Sequence, residues 1–477
     1  MREPGAILLV ACYELGHQPL SLASPLAILR RAGFSPVAID TSVSELPDTA
    51  IAQAKLVAIS APMHTALRLG TRIAARVRAL NPTAHICFYG LYATLNAGYL
   101  LRTVADSVIG GEYEEALQAL AESLDTPHAG TLAAIPGVHT RERMAPPVLR
   151  RLNHAVPERS MLPAPQSYAY LVRGDEVVPA GYVEATRGCL HTCAHCPITP
   201  VYGGRFFAIP RPLVLEDIRS QVRAGVGHIT FGDPDFLNGP RHSLEIVRAL
   251  HAEFPEVTFD ATIKVEHILE RRDIFPELAS LGCAFVVSAV ESLSEEVLRH
   301  LKKGHSRADV AEALHILDDA GIPMRPTFVA FTPWTSPRDY LDVLDFIAEH
   351  GLIEHVDPIQ YAIRLLVPPG SALLDDPDGL AWLGPLDEEA LSYTWQHPDP
   401  RMDALQAEVQ ALVEHAAGKR EPIPVTFAAI RQLAAERLDE LVPELAGVSA
   451  DARAGNDTGA LRRARRPVPH LSEPWFC

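Results

Sequence analysis

Three cysteines on one short loop carry the most specific chemistry in this sequence. Cys189, Cys193 and Cys196 are spaced Cys-x3-Cys-x2-Cys and follow a β-like run at residues 181–186. Iron–sulfur clusters are held by cysteine thiolates, normally four, and no fourth cysteine lies near these three in the sequence. Three thiolates would bind three corners of a [4Fe–4S] cube and leave one iron open. An open coordination position makes a metal site catalytic rather than structural.

A zinc site is the alternative interpretation of the same loop. Structural zinc takes a fourth ligand, and His191 or His195, which lie between the cysteines, could supply it. The residue types on the loop leave both metals open, and the spacing favours the cluster.

The motif and its setting resemble those of radical S-adenosylmethionine (SAM) enzymes, in which SAM chelates the open iron through its amine and carboxylate. One departure is His195, since the residue before the third cysteine is usually aromatic in that family. The resemblance implies a [4Fe–4S] cluster and SAM as cofactors, with Cys189, Cys193 and Cys196 as the metal ligands. It also implies a small-molecule substrate and an electron donor such as flavodoxin or ferredoxin.

Length and composition set the frame around this loop. The chain has 477 residues, enough for two or three domains, and its net charge is 42 − 59 = −17. A surface this acidic opposes general binding to nucleic acid. No apolar run reaches the roughly 18–20 residues of a membrane span, and the first residues lack a signal-peptide pattern. We therefore predict a cytoplasmic protein, and the odd count of seven cysteines suits a reducing compartment.

Residues 1–125 alternate short apolar runs with helical patterns, which is typical of a parallel sheet covered on both faces. The loops at the carboxyl ends of such strands form a ligand crevice. The order of these pieces resembles the cobalamin-binding-like domain that precedes many radical SAM cores. This resemblance makes Gly90, Gly110 and Gly111 candidate cobalamin contacts. The Asp-x-His-x-x-Gly motif is absent, so a Rossmann-like domain that has lost cobalamin is the alternative.

The rest of the chain divides by composition and rhythm. Residues 126–180 are rich in proline and predict a connector, and residues 181–370 show six strand–helix steps. Those steps suit the partial (β/α)6 barrel of radical SAM cores, whose reactive groups gather at the carboxyl ends of strands. Residues 371–445 predict a helical C-terminal region, and residues 446–477 a flexible tail.

Loops after the barrel strands supply the remaining site candidates. Gly232 and Asp233 follow the second strand, where the family holds the SAM amino group; an ordinary Asp-Pro turn is the alternative. Glu291 and Ser292 end the fourth strand and resemble a stretch that hydrogen-bonds the SAM ribose or carboxylate. Polar residues within apolar strands are either substrate and SAM contacts or part of a satisfied core network. They are Lys264, Gln360 and Arg364, and Lys264 and Arg364 are candidate catalytic residues.

Three stretches, residues 12–19, 331–334 and 363–370, resemble a narrower group. It comprises the radical SAM (seleno)proteins named for a Cys-Sec-Ala-Glu-Pro or Cys-Cys-Ala-Glu-Pro tail. Cys477, the last residue, is a third candidate catalytic residue. Two interpretations of this terminus stay open: an in-frame UGA codon after Cys477 was read as a stop and truncates a Cys-Sec tail, or the terminus is natural.

The resemblance implies an enzyme that reductively cleaves SAM on a [4Fe–4S] cluster and modifies a small molecule in specialised metabolism. The modification would be radical alkyl or methyl transfer or a related bond formation. One alternative is aminocarboxypropyl transfer from SAM to an arsenic compound, as in arsinothricin biosynthesis. The other is a metal- or cobalamin-binding sensor without turnover.

Overall fold

The computed structural model describes residues 1–126, 131–375, 380–438 and 468–473. Two large sheets flanked by helices make up most of this part of the chain. Among these residues, no helix is both long enough and apolar enough to cross a membrane.

The first sheet has the order β2-β1-β3-β4-β5-β6, and only β6 runs antiparallel to its neighbour. Apolar clusters on both faces bury its central strands, which explains their wholly apolar sequences. The strands are β1 Ile7–Ala11, β2 Val37–Asp40, β3 Leu56–Ser60, β4 His85–Tyr89, β5 Ser107–Ile109 and β6 Val138–His139. The helices are α1 Leu20–Arg31, α2 Asp48–Gln53, α3 His64–Leu80, α4 Leu91–Leu95, α5 Ala97–Thr103 and α6 Glu114–Asp125. The predicted Rossmann-like sheet is confirmed.

The second sheet curls into a partial barrel and has the order β14-β13-β12-β11-β8-β7-β17. Strands β8, β11, β12, β13 and β14 run parallel within it, and β7 and β17 extend one edge antiparallel. Its strands are β7 Tyr170–Arg173, β8 Glu176–Val183, β11 His228–Phe231, β12 Thr258–Thr262, β13 Cys283–Glu291, β14 Met324–Phe328 and β17 His470–Leu471. A short pair, β9 Thr186–Gly188 and β10 Phe206–Ala208, lies beside the cysteine loop.

Helices connect the parallel barrel strands. They are α7 Thr199–Tyr202, α8 Arg211–Arg223, α9 Pro240–Glu253, α10 Val265–Glu270, α11 Phe275–Ser280, α12 Glu295–Leu301, α13 Arg307–Ala320 and α14 Pro337–Glu349. Ser306 and Ser336 begin α13 and α14 with complete capping boxes. The predicted partial barrel is confirmed, with five parallel strands.

The sixth predicted strand, at residues 358–366, does not form. A 3-10 turn occupies Pro358–Tyr361, and a single bridge joins Phe331 to Arg364. The physical reason lies at the edge of β14, where the Phe328 amide donates to Gln360 Oε1 at 2.9 Å. The Gln360 side chain thus accepts the hydrogen bond from a β14 amide that a sixth strand would otherwise have accepted.

The C-terminal region is less helical than predicted. A hairpin, β15 Leu383–Asp387 and β16 Ser392–Trp395, precedes α15 Pro400–Lys419 and α16 Ile423–Leu438. Beyond them, β17 pairs with β7 through His470–Val172 and Leu471–Leu171, where the sequence predicted a flexible tail. The remainder of that predicted tail, residues 446–467 and 474–477, lies outside the described residues.

Candidate active site

The cysteine loop leaves the barrel at β9 through a turn that requires glycine. Gly188 has φ +77°, and a Cβ there would lie 2.4 Å from the Arg205 carbonyl oxygen. Asn238 Oδ1 accepts from the Leu190 amide at 3.1 Å, and the Cys193 carbonyl accepts from the Cys196 amide at 3.2 Å. The loop is therefore held by Asn238, which follows β11, and by a turn of its own between Cys193 and Cys196.

The three thiols are shielded to different extents. Cys193 is buried, and Cys189 and Cys196 are half-buried. Burial raises the pKa of Cys189, and raises that of Cys196 to about 12. Such thiols stay protonated until a metal displaces the proton.

The loop histidines face carboxylates. His195 Nε2 lies 3.3 Å from Glu291 Oε1, and His191 Nδ1 lies 3.3 Å from Glu266 Oε2. In the described part of the chain, neither joins the cysteines in a group compact enough for a single ion. The donor set thus fits an iron–sulfur cluster better than the zinc alternative.

Glu291 lies next to the cysteine loop, between His195 and Lys303. It ends β13 with φ +65°, and its carboxylate lies 3.3 Å from His195 and 3.5 Å from Lys303 Nζ. Burial alone would raise the pKa of Glu291, but the Lys303 ammonium and His195 lower it to about 2. The carboxylate is therefore ionised beside the cysteine loop. Ser292 is buried, and its hydroxyl accepts from the Ser294 amide at 3.1 Å, just before α12.

Asp233 forms hydrogen bonds with Ala185 and Thr186, which lie just before the cysteine loop in the chain. Its two carboxylate oxygens accept from the Ala185 amide at 2.9 Å and from the Thr186 hydroxyl at 2.5 Å. Burial raises the pKa of Asp233 to about 7. Gly232 is required by packing, because a Cβ there would lie 1.9 Å from the Tyr182 hydroxyl. This geometry makes Asp233 a positioning residue for the turn between β8 and β9.

The catalytic candidates fall in three different places. Lys264 lies next to the cysteine loop, with Nζ 2.6 Å from Glu266 Oε2 and 3.3 Å from His191 Nδ1. Arg364 instead binds the C-terminal region: it pairs with Asp403 and stacks 3.5 Å over the Trp395 ring. Cys477 lies outside the described residues.

Two neighbouring cavities meet in front of the barrel. The interdomain cavity, about 260 Å³, is bounded by the first sheet's loops and by Thr186, Arg187 and Gly188. The barrel cavity, about 290 Å³, is bounded by the strands and by Glu473. Residues lining both cavities are Leu15, His17, Tyr182, Ile198, Gly232 and Pro234.

The predicted cobalamin glycines differ in their placement. Gly90 and Gly111 line the interdomain cavity, whereas a Cβ on Gly110 would lie 2.9 Å from His139 Nε2. Gly111 has φ +75°, and a Cβ there would lie 2.3 Å from the Val148 carbonyl oxygen. Close backbone packing therefore accounts for the glycine at position 111 without a ligand.

A buried arginine links the two sheets, and sequence reasoning did not identify it. Arg187 lies 2.7 Å from Glu114, 2.7 Å from Glu184 and 3.2 Å from Glu112. Tyr202 adds a hydrogen bond to Glu112 at 2.9 Å. Two of the three carboxylates come from the loop and helix after β5, so this cluster holds the first sheet against the cysteine loop.

His17 was also missed as a site residue, although its loop was predicted to line the crevice. Its ring packs on Tyr182 with centroids 4.9 Å apart, and its Nδ1 is buried without a hydrogen-bond partner. Burial lowers the pKa of His17 to about 4. A neutral imidazole therefore lies where the two cavities meet.

Comparisons with known proteins match this arrangement. Residues 183–354 match the model of the radical SAM superfamily. The hopanoid C-3 methylase of Methylococcus capsulatus is 25% identical over 235 residues, or 49% of this chain and 44% of the methylase. The matched region thus spans less than half of that relative.

Solved structures extend the likeness to the first sheet. The cobalamin-dependent SAM radical enzyme OxsB has a TM-score of 0.71 at 14% identity, over 94% of this chain and 76% of OxsB. The radical SAM methyltransferase TsrM from Kitasatospora setae has a TM-score of 0.58 at 17% identity, over 72% of this chain and 71% of TsrM. At these identities the likeness establishes the fold: a Rossmann-like sheet followed by a partial barrel.

Proposed function

We propose that this chain, whose residues 183–354 form a radical SAM domain, transfers a methyl group to a small molecule with the help of cobalamin. A radical SAM domain is an enzyme domain that uses a [4Fe–4S] cluster and SAM. The observation that carries the proposal is the junction of the two cavities beside the cysteine loop. A cofactor on the first sheet and a substrate in the barrel would meet there.

Each cofactor has residues suited to it. Cys189, Cys193 and Cys196 would hold the cluster, and Glu291 would bind SAM beside it. When bound, the cluster would supply the electron that cleaves SAM and cobalamin would carry the methyl group. Gly90 and Gly111 would border the cobalamin.

The lining of the interdomain cavity supports the cobalamin assignment. Its walls include apolar and aromatic side chains such as Leu91, Val201 and Tyr113, which suit the face of a corrin ring. The cavity is partly open to solvent, so a cofactor larger than the cavity could extend beyond its mouth.

The volume and lining of the barrel cavity limit the size and polarity of the proposed substrate. Its volume of about 290 Å³ lies at the small end of the range for ligand pockets. Aromatic walls from Phe231 and Phe285 are joined by the polar groups of Asp260, Thr262 and Arg325. We infer a small substrate with both an apolar body and hydrogen-bonding groups, and we propose that nucleic acid is excluded.

The finer resemblance to the Cys-Sec-Ala-Glu-Pro-tail group belongs to this proposal. Tyr13, Leu15 and His17 of the stretch at residues 12–19 line the barrel cavity. Glu473, four residues before Cys477, lines it as well. Both observations support a role for that stretch and for the C-terminal segment at the substrate. An electron donor such as flavodoxin or ferredoxin and a cytoplasmic location complete the proposal.

The test is SAM cleavage by anaerobically reconstituted protein supplied with dithionite, with and without hydroxocobalamin. We expect slow formation of 5′-deoxyadenosine or S-adenosylhomocysteine, and none from the variant in which Cys189, Cys193 and Cys196 are all alanine. A methylated product that forms only when hydroxocobalamin is added would identify cobalamin-dependent methyl transfer. Release of methylthioadenosine would instead indicate aminocarboxypropyl transfer. A reconstituted protein that binds SAM without cleaving it would contradict the enzyme proposal and favour a sensor.

A further inference from the structure

A second group of metal-ligating side chains lies beside the cysteine loop and uses no thiol. His191 Nε2, Asp235 Oδ2 and His267 Nδ1 all lie within 4.8 Å of one another. His191 comes from the cysteine loop, Asp235 from the turn after β11 and His267 from α10. Three separate elements therefore direct one ligand atom each toward a common point.

The carboxylate of this group is buried and only half used. Asp235 is 1% exposed, and its Oδ1 accepts from the Leu237 amide at 2.9 Å. Its Oδ2 lies 2.8 Å from His267 Nδ1 and 3.5 Å from His191 Nε2. None of these three atoms forms an aligned hydrogen bond. A buried carboxylate oxygen left in this state is costly unless a proton or cation lies beside it.

The second ring nitrogen of His191 has the surroundings of a metal-ligating histidine. His191 Nδ1 lies 3.3 Å from Glu266 Oε2, and a metal-bound imidazole usually donates its other N–H to such a carboxylate. Lys264 Nζ forms a hydrogen bond with Nδ1 at 3.3 Å, and its shorter contact, 2.6 Å, is with Glu266. Ligation of a metal through Nε2 would place the imidazole proton on Nδ1, where Glu266 Oε2 is the acceptor within reach.

We propose that His191, Asp235 and His267 bind a divalent transition-metal ion, with zinc or ferrous iron as the best-suited class. Two imidazoles and one carboxylate form a recognised ligand set for these ions. The two histidine side chains are 19% and 12% exposed, so water can complete the coordination. The ion would tie the cysteine loop to the ends of β11 and β12 whether or not the cluster is present.

The proposal is tested with Co²⁺ as a spectroscopic probe on the full chain carrying Cys189→Ala, Cys193→Ala and Cys196→Ala. Removing the thiols separates this site from the cluster and makes the readout independent of SAM chemistry. We expect about one Co²⁺ per chain, with visible ligand-field bands and without the charge-transfer band of a thiolate ligand. Added to the triple variant, Asp235→Asn or His267→Gln should abolish this binding. The matched control His315→Gln, which changes an exposed histidine of α13, should retain it.

A second measurement covers loss of folding in the triple variant. In the reconstituted protein with its cysteines intact, Asp235→Asn and His267→Gln should keep the visible absorbance of the parent's iron–sulfur cluster and lose one equivalent of total metal, iron and zinc counted together. The proposal would be overturned if the triple variant bound no Co²⁺ and the protein with intact cysteines carried no additional metal. It would also be overturned if neither Asp235→Asn nor His267→Gln changed the amount of metal bound. The group would then be a histidine–aspartate pair that shares a proton.

Discussion

At the scale of single residues, burial and neighbouring charges determine the protonation of the carboxylates in the candidate site. Glu291 is ionised because Lys303 and His195 surround it, whereas burial raises the pKa of Asp233 to about 7. Both carboxylates were predicted to bind SAM, and the structure gives them different environments. The carboxylate of Glu291 faces the cysteine loop, whereas that of Asp233 accepts hydrogen bonds from the Ala185 amide and the Thr186 hydroxyl.

Glu291→Gln should therefore weaken SAM binding at least about tenfold while leaving the iron content unchanged. The substitution removes the negative charge beside the cluster loop and leaves the Lys303 ammonium, whose side chain is 3% exposed, without its counter-ion. Equilibrium dialysis of SAM against the reconstituted protein measures the effect. Glu296→Gln, at an exposed position of the following helix, is the control.

Asp233→Asn should also weaken SAM binding, but indirectly, since it loosens the turn before the cysteine loop. If Glu291→Gln and Asp233→Asn both bind SAM as tightly as the parent, the assignment of these residues is wrong and the cysteine assignment still stands.

Glu14 gives a prediction about pH. Burial raises the pKa of Glu14 to about 8, with contributions from Asp40 and Glu184, while hydrogen bonds from Ser21 oppose the rise. The unfolded chain ionises a glutamate near pH 4.3, so folding must pay for keeping the proton on. The contribution of Glu14 to stability should therefore fall as the pH rises from about 5 to about 8, by up to about 1.4 kcal/mol per pH unit.

Glu14→Gln should flatten this part of the pH profile. Urea unfolding midpoints of the parent and the variant, measured across that range, give the comparison. A difference between the two proteins that stays constant with pH would contradict the elevated pKa of Glu14.

At the scale of elements, long-range side-chain contacts set where helices and strands begin and end. Helix α1 starts at Leu20 and contains Pro25, although proline is tolerated best in the first turn of a helix. Proline lacks the amide that would bond Ser21's carbonyl, and the Tyr89 hydroxyl donates to that carbonyl at 2.8 Å instead. Gln360 acts similarly at the edge of β14.

Arg187→Met should lower the free energy of unfolding by about 3–5 kcal/mol, because removing one partner of a buried ion cluster leaves uncompensated charges. Glu112 and Glu114 would remain buried without their counter-ion. Urea unfolding measures the loss. Arg173→Met, which removes an exposed pair with Glu176, should cost less than about 1 kcal/mol. Equal effects of the two substitutions would show that the cluster does not hold the sheets together.

At the scale of the whole molecule, the two cavities depend on both large sheets. Each sheet has its own apolar core, and the two cavities open where the sheets face each other. The C-terminal segment adds β17 to the barrel sheet and brings Glu473 to the barrel cavity. Binding and access are thus properties of the assembled molecule.

Leu91→Trp should weaken hydroxocobalamin binding at least about tenfold, because the larger side chain fills part of an interdomain cavity of only about 260 Å³. Iron content should not change. Co-elution of cobalamin on gel filtration measures binding, and Leu80→Trp, at a residue 46% exposed on α3, is the control. A parent protein that binds no cobalamin would support the alternative of a Rossmann-like domain that has lost the cofactor.

The sequence by itself determined the features that are written locally. The spacing of Cys189, Cys193 and Cys196 predicted the metal chemistry, and the alternation of apolar strands with helices predicted both sheets, because periodicity and spacing are properties of neighbouring residues.

Only the tertiary structure decided which distant side chains meet. Arg187 and Glu112 are 75 residues apart in the chain, and Glu473 reaches the cavity only because β17 pairs with β7. The convergence of His191, Asp235 and His267 likewise depends on how the cysteine loop, β11 and α10 are arranged in the barrel. No local pattern encodes such meetings, because they follow from the packing of whole elements. The same packing removes water from Glu14 and His17 and brings Lys303 and His195 to Glu291, and so sets the charge states of these three residues.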